Sequence, residues 1–143
     1  MGLDTTTVPL EMFAKAELMI FQNKFDAAET IWDSLGILYP QHTLADDMLY
    51  TRAKMYEKRR QYEIAAEMYQ RVIDDYPEEI RVDNSIFALA GLYERQLNEP
   101  EKAQALYEKL FIDYSNSTLA VEARKRYRIL RGDFEEDESG PAQ

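Results

Sequence analysis

The chain has no cysteine, a single histidine (His42), five glycines and five prolines in 143 residues. Without cysteine there are no disulfides, no Cys-ligated zinc and no thiol nucleophile, and either redox compartment suits it. One histidine leaves a metal site short of the three or four converging ligands it needs, so His42 is read as a loop residue. So few Gly and Pro leave little material for the many turns of an all-β fold. No apolar run approaches the roughly 20 residues that span a bilayer, and direct membrane insertion is not expected. The opening "MGLDTTTVPLEMF" lacks the charged and apolar regions of a secretory signal. Met1-Gly2 with Thr6 matches the myristoylation pattern only formally. No phosphate-cradling glycine loop, G-x-S-x-G elbow or H-E-x-x-H is present. The acid pairs Asp74-Asp75 and Glu78-Glu79 read as solvated helix ends, because acid–base work needs shifted pKa values in a pocket. An enzyme is not expected, and neither is a cofactor or metal.

What is present is charge and periodicity. The formal charge is −10, and residues 133–143 hold five of the acids and no base. Without that tail, 17 bases face 22 acids, a balance of −5. An acidic balance argues against nucleic acid, whose phosphates need neutralising Lys and Arg. The hydrophobic fraction of 45% is ordinary for a globular chain, and this length buries about 68–70% of the unfolded surface.

In "QYEIAAEMYQRVIDDYP" (61–77), Tyr62, Ala65, Tyr69, Val72 and Tyr76 recur at three to four residue spacing, one stripe of a helix, and Pro77 ends it. A shift back by 37 residues finds Phe25, Ala28, Trp32, Leu35, Tyr39 and Pro40 in the same places. A shift forward by 38 finds Pro100, Ala103, Tyr107, Leu110 and Tyr114, with Ser115 for the proline. Thr43-Leu44-Ala45 returns as Thr118-Leu119-Ala120, with Ile80-Arg81-Val82 between them. Two markers in one register define a repeat. The pattern predicts helices at 9–22, 25–38, 43–59, 62–75, 80–96, 100–113 and 118–131. Links of two or three residues (Asn23-Lys24, Arg60-Gln61, Leu97-Asn98-Glu99) make neighbours antiparallel. The expected organisation is a leader at 1–8, a domain at 9–132 and a disordered acidic tail at 133–143. Within the domain, repeats fall at about 9–45, 46–83 and 84–117, with a capping helix at 118–131.

These units resemble the tetratricopeptide repeat, a helix–turn–helix of 34 residues. Leu49, Ala53 and Tyr56, then Ala65, Tyr69 and Pro77, fill the family's places in the second unit. Phe87, Gly91, Ala103 and Tyr107 fill them in the third, and Met12, Ala16, Ala28, Trp32 and Pro40 in the first. The resemblance implies an all-α, right-handed superhelical solenoid of antiparallel helix pairs, about seven helices long. It also implies a non-enzymatic scaffold that binds a protein or peptide on a concave surface lined by the first helix of each pair.

The period of 37–38 and the "YP" exit are similar to the bacterial envelope subclass, which includes the Tol–Pal coordinator and the barrel-assembly lipoprotein. The ending "VEARKRYRILRGD" is similar to the C-terminal end of longer members. That implies a C-terminal piece of a longer protein in the periplasm or envelope, the alternative being the cytoplasm. By this resemblance the partner-binding places are Asp47, Tyr50, Lys54, Glu57 and Lys58 in the second unit. In the third they are Ser85, Ala88, Leu89, Leu92, Arg95 and Gln96. The asparagines of the family's carboxylate clamp are absent. An apolar groove at Ala88–Leu92 suits an inserted helix or extended segment. The alternative is self-association through the same surface, as a homo-oligomer or within the chain. Arg124, Lys125, Arg126, Arg128 and Arg131 pose a third reading, a nucleic-acid patch. The preferred account is a cap whose buried stripe is Leu119, Ala120, Ala123, Tyr127 and Leu130 and whose bases solvate its outer face.

Overall fold

Apolar residues at helical spacing, joined by links too short for anything but reversal, produce helices throughout. The computed structural model describes residues 2–39, 45–78 and 80–132, with side chains from Val8 onward. His42, Thr43, Leu44 and the tail lie outside the described residues. The elements are α1 (Gly2–Phe21), α2 (Phe25–Leu38), α3 (Ala45–Lys58), α4 (Tyr62–Asp75), α5 (Val82–Arg95), α6 (Pro100–Asp113) and α7 (Ala120–Arg131). Among the described residues there are seven helices and no strand, and successive neighbours pack as a helical solenoid. Helix α1 begins ahead of the expected start at residue 9 and carries Pro9 inside it. Proline there has no N–H to donate to the preceding turn, so one helical backbone bond is missing at that point.

The three short links share one geometry. Asn23, Arg60 and Asn98 have φ of 62°, 63° and 56°, the left-handed region. At the first two, the next N–H reaches back five residues, Lys24 to the Met19 carbonyl (2.7 Å) and Gln61 to that of Tyr56 (2.9 Å). This satisfies helix-end carbonyls and reverses the chain. The second helix of each pair ends at Tyr39, Tyr76 or Tyr114, whose N–H caps the carbonyl of Leu35, Val72 or Leu110.

Within each pair an aromatic ring of the first helix meets one of the second. Phe13 meets Trp32 at 5.5 Å, Tyr50 meets Tyr69 at 5.9 Å and Phe87 meets Tyr107 at 5.7 Å between centroids. Tilted and edge-on pairs of this kind contribute about 0.5–1.5 kcal/mol beyond area burial. Ala16, Ala53, Ala28, Ala65 and Ala103 are fully buried at 0% exposure. Their lack of bulk lets the helices approach closely.

The junctions between pairs differ. Between α4 and α5 the packing is broad and apolar, with Ile73, Ile86 and Leu89 in the core. The junction between α2 and α3 is narrower and carries ion pairs beside apolar residues such as Trp32 and Met48. Arg52 pairs with Glu29 (2.7 Å) and Asp33 (3.2 Å), Arg59 stands 3.7 Å from Glu29, and the Tyr56 hydroxyl donates to Glu29.

Candidate functional site

The first helices of successive pairs, α1 and α3, together with both ends of α5, enclose an open groove of about 720 Å³. Its wall from α3 carries Tyr50, Thr51, Lys54, Glu57 and Lys58; Arg81 and Gln96 come from the ends of α5. Five of the expected residues therefore converge here: Tyr50, Lys54, Glu57, Lys58 and Gln96. Asp47 stands beside the groove and holds Arg81 by a 2.6 Å ion pair. Arg95 lies over Gly91, where it blocks the space a Cβ would need.

Ser85, Leu89 and Leu92 are corrected by the structure. They are buried at 0%, 0% and 2% exposure, so they hold α5 to its neighbours and offer no surface. Of the apolar groove expected at Ala88–Leu92, residues 89–92 are buried and Ala88 is partly buried against the core. The repeat register explains the error: with a shift of 37, Leu89 and Leu92 match Arg52 and Met55. Arg52 faces α2 and Met55 is fully buried. The true counterparts of Tyr50, Lys54 and Lys58 are Phe87, Gly91 and Arg95.

The same register locates the residues that the sequence reading missed. Shifting Lys54, Glu57 and Lys58 back by 37 gives Glu17, Ile20 and Phe21, which line the facing wall from α1. Phe21 is 79% exposed and supplies the groove's most accessible apolar surface. Arg81 had no such signal, since it lies in the link before α5 and enters through its pair with Asp47.

Polar order in the groove is specific. The Lys58 ammonium donates to the Ile20 carbonyl (3.2 Å), tying α3 to α1. Lys54 and Arg81 both stand over the Tyr50 ring, at 5.6 and 5.2 Å from its centroid, a favourable placement for a cation. The Tyr69 hydroxyl donates to Glu57 (2.8 Å) from below. Burial pushes that hydroxyl well above its ordinary pKa of 10.0, and the Glu57 charge adds to the shift. One unit further, Tyr107 donates to Glu94 (2.9 Å), and its hydroxyl is pushed up by burial and then by Glu94. Glu94 also holds Arg126 of α7, an ion pair whose side chains are only 10% and 15% exposed.

Other bases of α7 also engage the fold, Arg124 over Phe111 and Arg131 over Tyr127. Ala123 is buried, while Leu119, Tyr127 and Leu130 pack against the core from partly buried positions. Helix α7 thus packs on α6 with its apolar stripe turned to the core. Among the described residues no group of three His, Cys, Asp or Glu is placed to hold a metal, and no helix is long and apolar enough to cross a membrane.

Residues 47–79 match the family model described as "Tetratricopeptide repeat". The match covers the second helix pair and includes the α3 wall of the groove. It supports reading the chain as a tetratricopeptide-repeat protein. No curated protein matches the chain.

Proposed function

We propose that this chain is a non-catalytic scaffold that holds a peptide or protein segment in the groove between α1, α3 and α5. Tetratricopeptide repeats generally mediate protein–protein interaction, and a match to that repeat lies across the groove's main wall. The observation that carries the reading is the groove itself. Equivalent positions of two successive first helices, Glu17 and Phe21 on one and Lys54 and Lys58 on the other, face a shared space of about 720 Å³. Volumes of this order suit a side-chain-anchored segment. Rigid helix pairs present it preformed, which lowers the ordering cost of binding.

The test is photo-crosslinking in cells of the source organism. A benzophenone amino acid at position 54 or 58 should give discrete protein adducts, whereas one at Glu67, exposed on α4, should not. Equal adducts from position 67, or none from 54 and 58, would overturn the reading. A Leu92→Asp variant does not discriminate, because a charge at a buried site unfolds the helix pair first. Self-association is favoured by a different observation, the exposure of Ile37 (79%) and Leu38 (60%) at the end of α2. Light scattering across a concentration series separates the two. An envelope location is supported by the 37–38-residue period and the Tyr-Pro exits, and fractionation of the full-length protein tests it.

A further inference from the structure

Glu57 and Glu94 are the same residue of two successive repeats. Each lies in the last turn of a first helix, and each accepts from the hydroxyl of the tyrosine on the second helix, Tyr69 or Tyr107. Beyond that their surroundings diverge. Glu94 receives the Arg126 guanidinium from the next first helix, with Arg95 4.0 Å away. At Glu57 the residue in Arg126's place is Ala88, whose methyl packs against the core and offers no cation. The residue in Arg95's place is Lys58, whose ammonium is turned to the Ile20 carbonyl. Among the described residues Glu57 therefore accepts from Tyr69 and from no cation.

The groove's other cations are also committed, Arg81 to Asp47 and Lys54 over Tyr50. Glu17, on the opposite wall, adds a second carboxylate to the same space. A carboxylate oriented by a buried tyrosine and facing a groove is preorganised to take a guanidinium, which gives stronger hydrogen bonds than a neutral donor.

We propose that the groove's occupant presents an arginine side chain to Glu57, in the place that Arg126 takes on Glu94. This rests on the groove being the binding surface, and it narrows the partner to a segment bearing a basic residue. The acidic balance of the whole chain, −10, favours encounter with such a partner. The neighbouring apolar rings of Phe21 and Tyr62 line the space beside it, so an apolar residue adjacent to the arginine completes the match.

The experiment is an amide-resolved NMR titration with N-acetyl-arginine amide, N-acetyl-phenylalanine amide and N-acetyl-glutamate amide. In the wild-type chain the arginine probe should shift the amides of Thr51, Lys54 and Glu57, and the glutamate probe should not. In Glu57→Gln, whose fold the spectrum itself verifies, apparent affinity for the arginine probe should fall roughly tenfold, the loss of one charge-assisted pair. In Ala88→Arg the internal guanidinium should occupy Glu57 and remove the response. An arginine response unchanged in Glu57→Gln, or matched by the glutamate probe, overturns the proposal. If the phenylalanine probe shifts groove amides while the arginine probe does not, the groove reading stands and this one falls. If neither probe shifts them, both fall.

Discussion

Replacing Arg126 by methionine keeps the bulk of the side chain and removes its charge from a nearly buried site. Glu94 would then remain only 10% exposed, with the Tyr107 hydroxyl at 2.9 Å and Arg95 at 4.0 Å as its remaining company. Removing one member of a buried pair costs about 3–5 kcal/mol, chiefly because the survivor stays charged and desolvated. The two remaining contacts offset part of that, so roughly 2–4 kcal/mol is expected here. In a domain of this size that lowers Tm by roughly 5–15 °C. Glu94→Gln should also destabilise, since it removes the carboxylate that Arg126 and the Tyr107 hydroxyl share. The double variant should lose less than either single change, because it leaves no unpaired charge and Gln still accepts from Tyr107. Glu57→Gln is the control: it removes a carboxylate that has no cation partner and should stay within about 0.5 kcal/mol of wild type. Urea unfolding followed by helical circular dichroism measures all four. If Glu57→Gln costs as much as Glu94→Gln, or Arg126→Met costs less than about 1 kcal/mol, the difference drawn between the two glutamates is wrong.

Two other perturbations follow from the links and the tyrosines. Arg60 holds a left-handed φ of 63° and its side chain is exposed. Arg60→Gly should therefore stabilise by roughly 0.5–1 kcal/mol, the strain relieved less the added backbone entropy of the unfolded chain. A lower urea midpoint would show that the residue is unstrained. The hydroxyls of Tyr69 and Tyr107 are both raised above their ordinary value of 10.0. Their contribution is fully present below that pH and is lost as pH rises, because the unfolded chain ionises first. The urea midpoint should be flat with respect to these groups up to about pH 9 and fall above pH 10. The Tyr69→Phe/Tyr107→Phe double variant should show less of that fall, and an identical alkaline slope would refute the assignment.

The sequence by itself determined the helices, their pairing and the repeat. Stripes such as Tyr62, Ala65, Tyr69 and Val72 are local, and a two-residue link such as Arg60-Gln61 allows only a reversal, so neither needs knowledge of distant contacts. It also named the α3 face, Tyr50, Lys54, Glu57 and Lys58. Carrying that face one unit onward failed by a residue: Leu89 and Leu92 belong to the buried core of α5. A helix with two apolar faces shows no unique outward side in its pattern. Only the packed structure decided which apolar residues of α5 are core and that α1 supplies the opposite wall of the groove. It alone showed that Glu94 is filled from within by Arg126 while Glu57 is left facing the groove. Those facts depend on where side chains 31 and more positions apart meet, as Arg126 meets Glu94 across 32, and no local pattern encodes that distance.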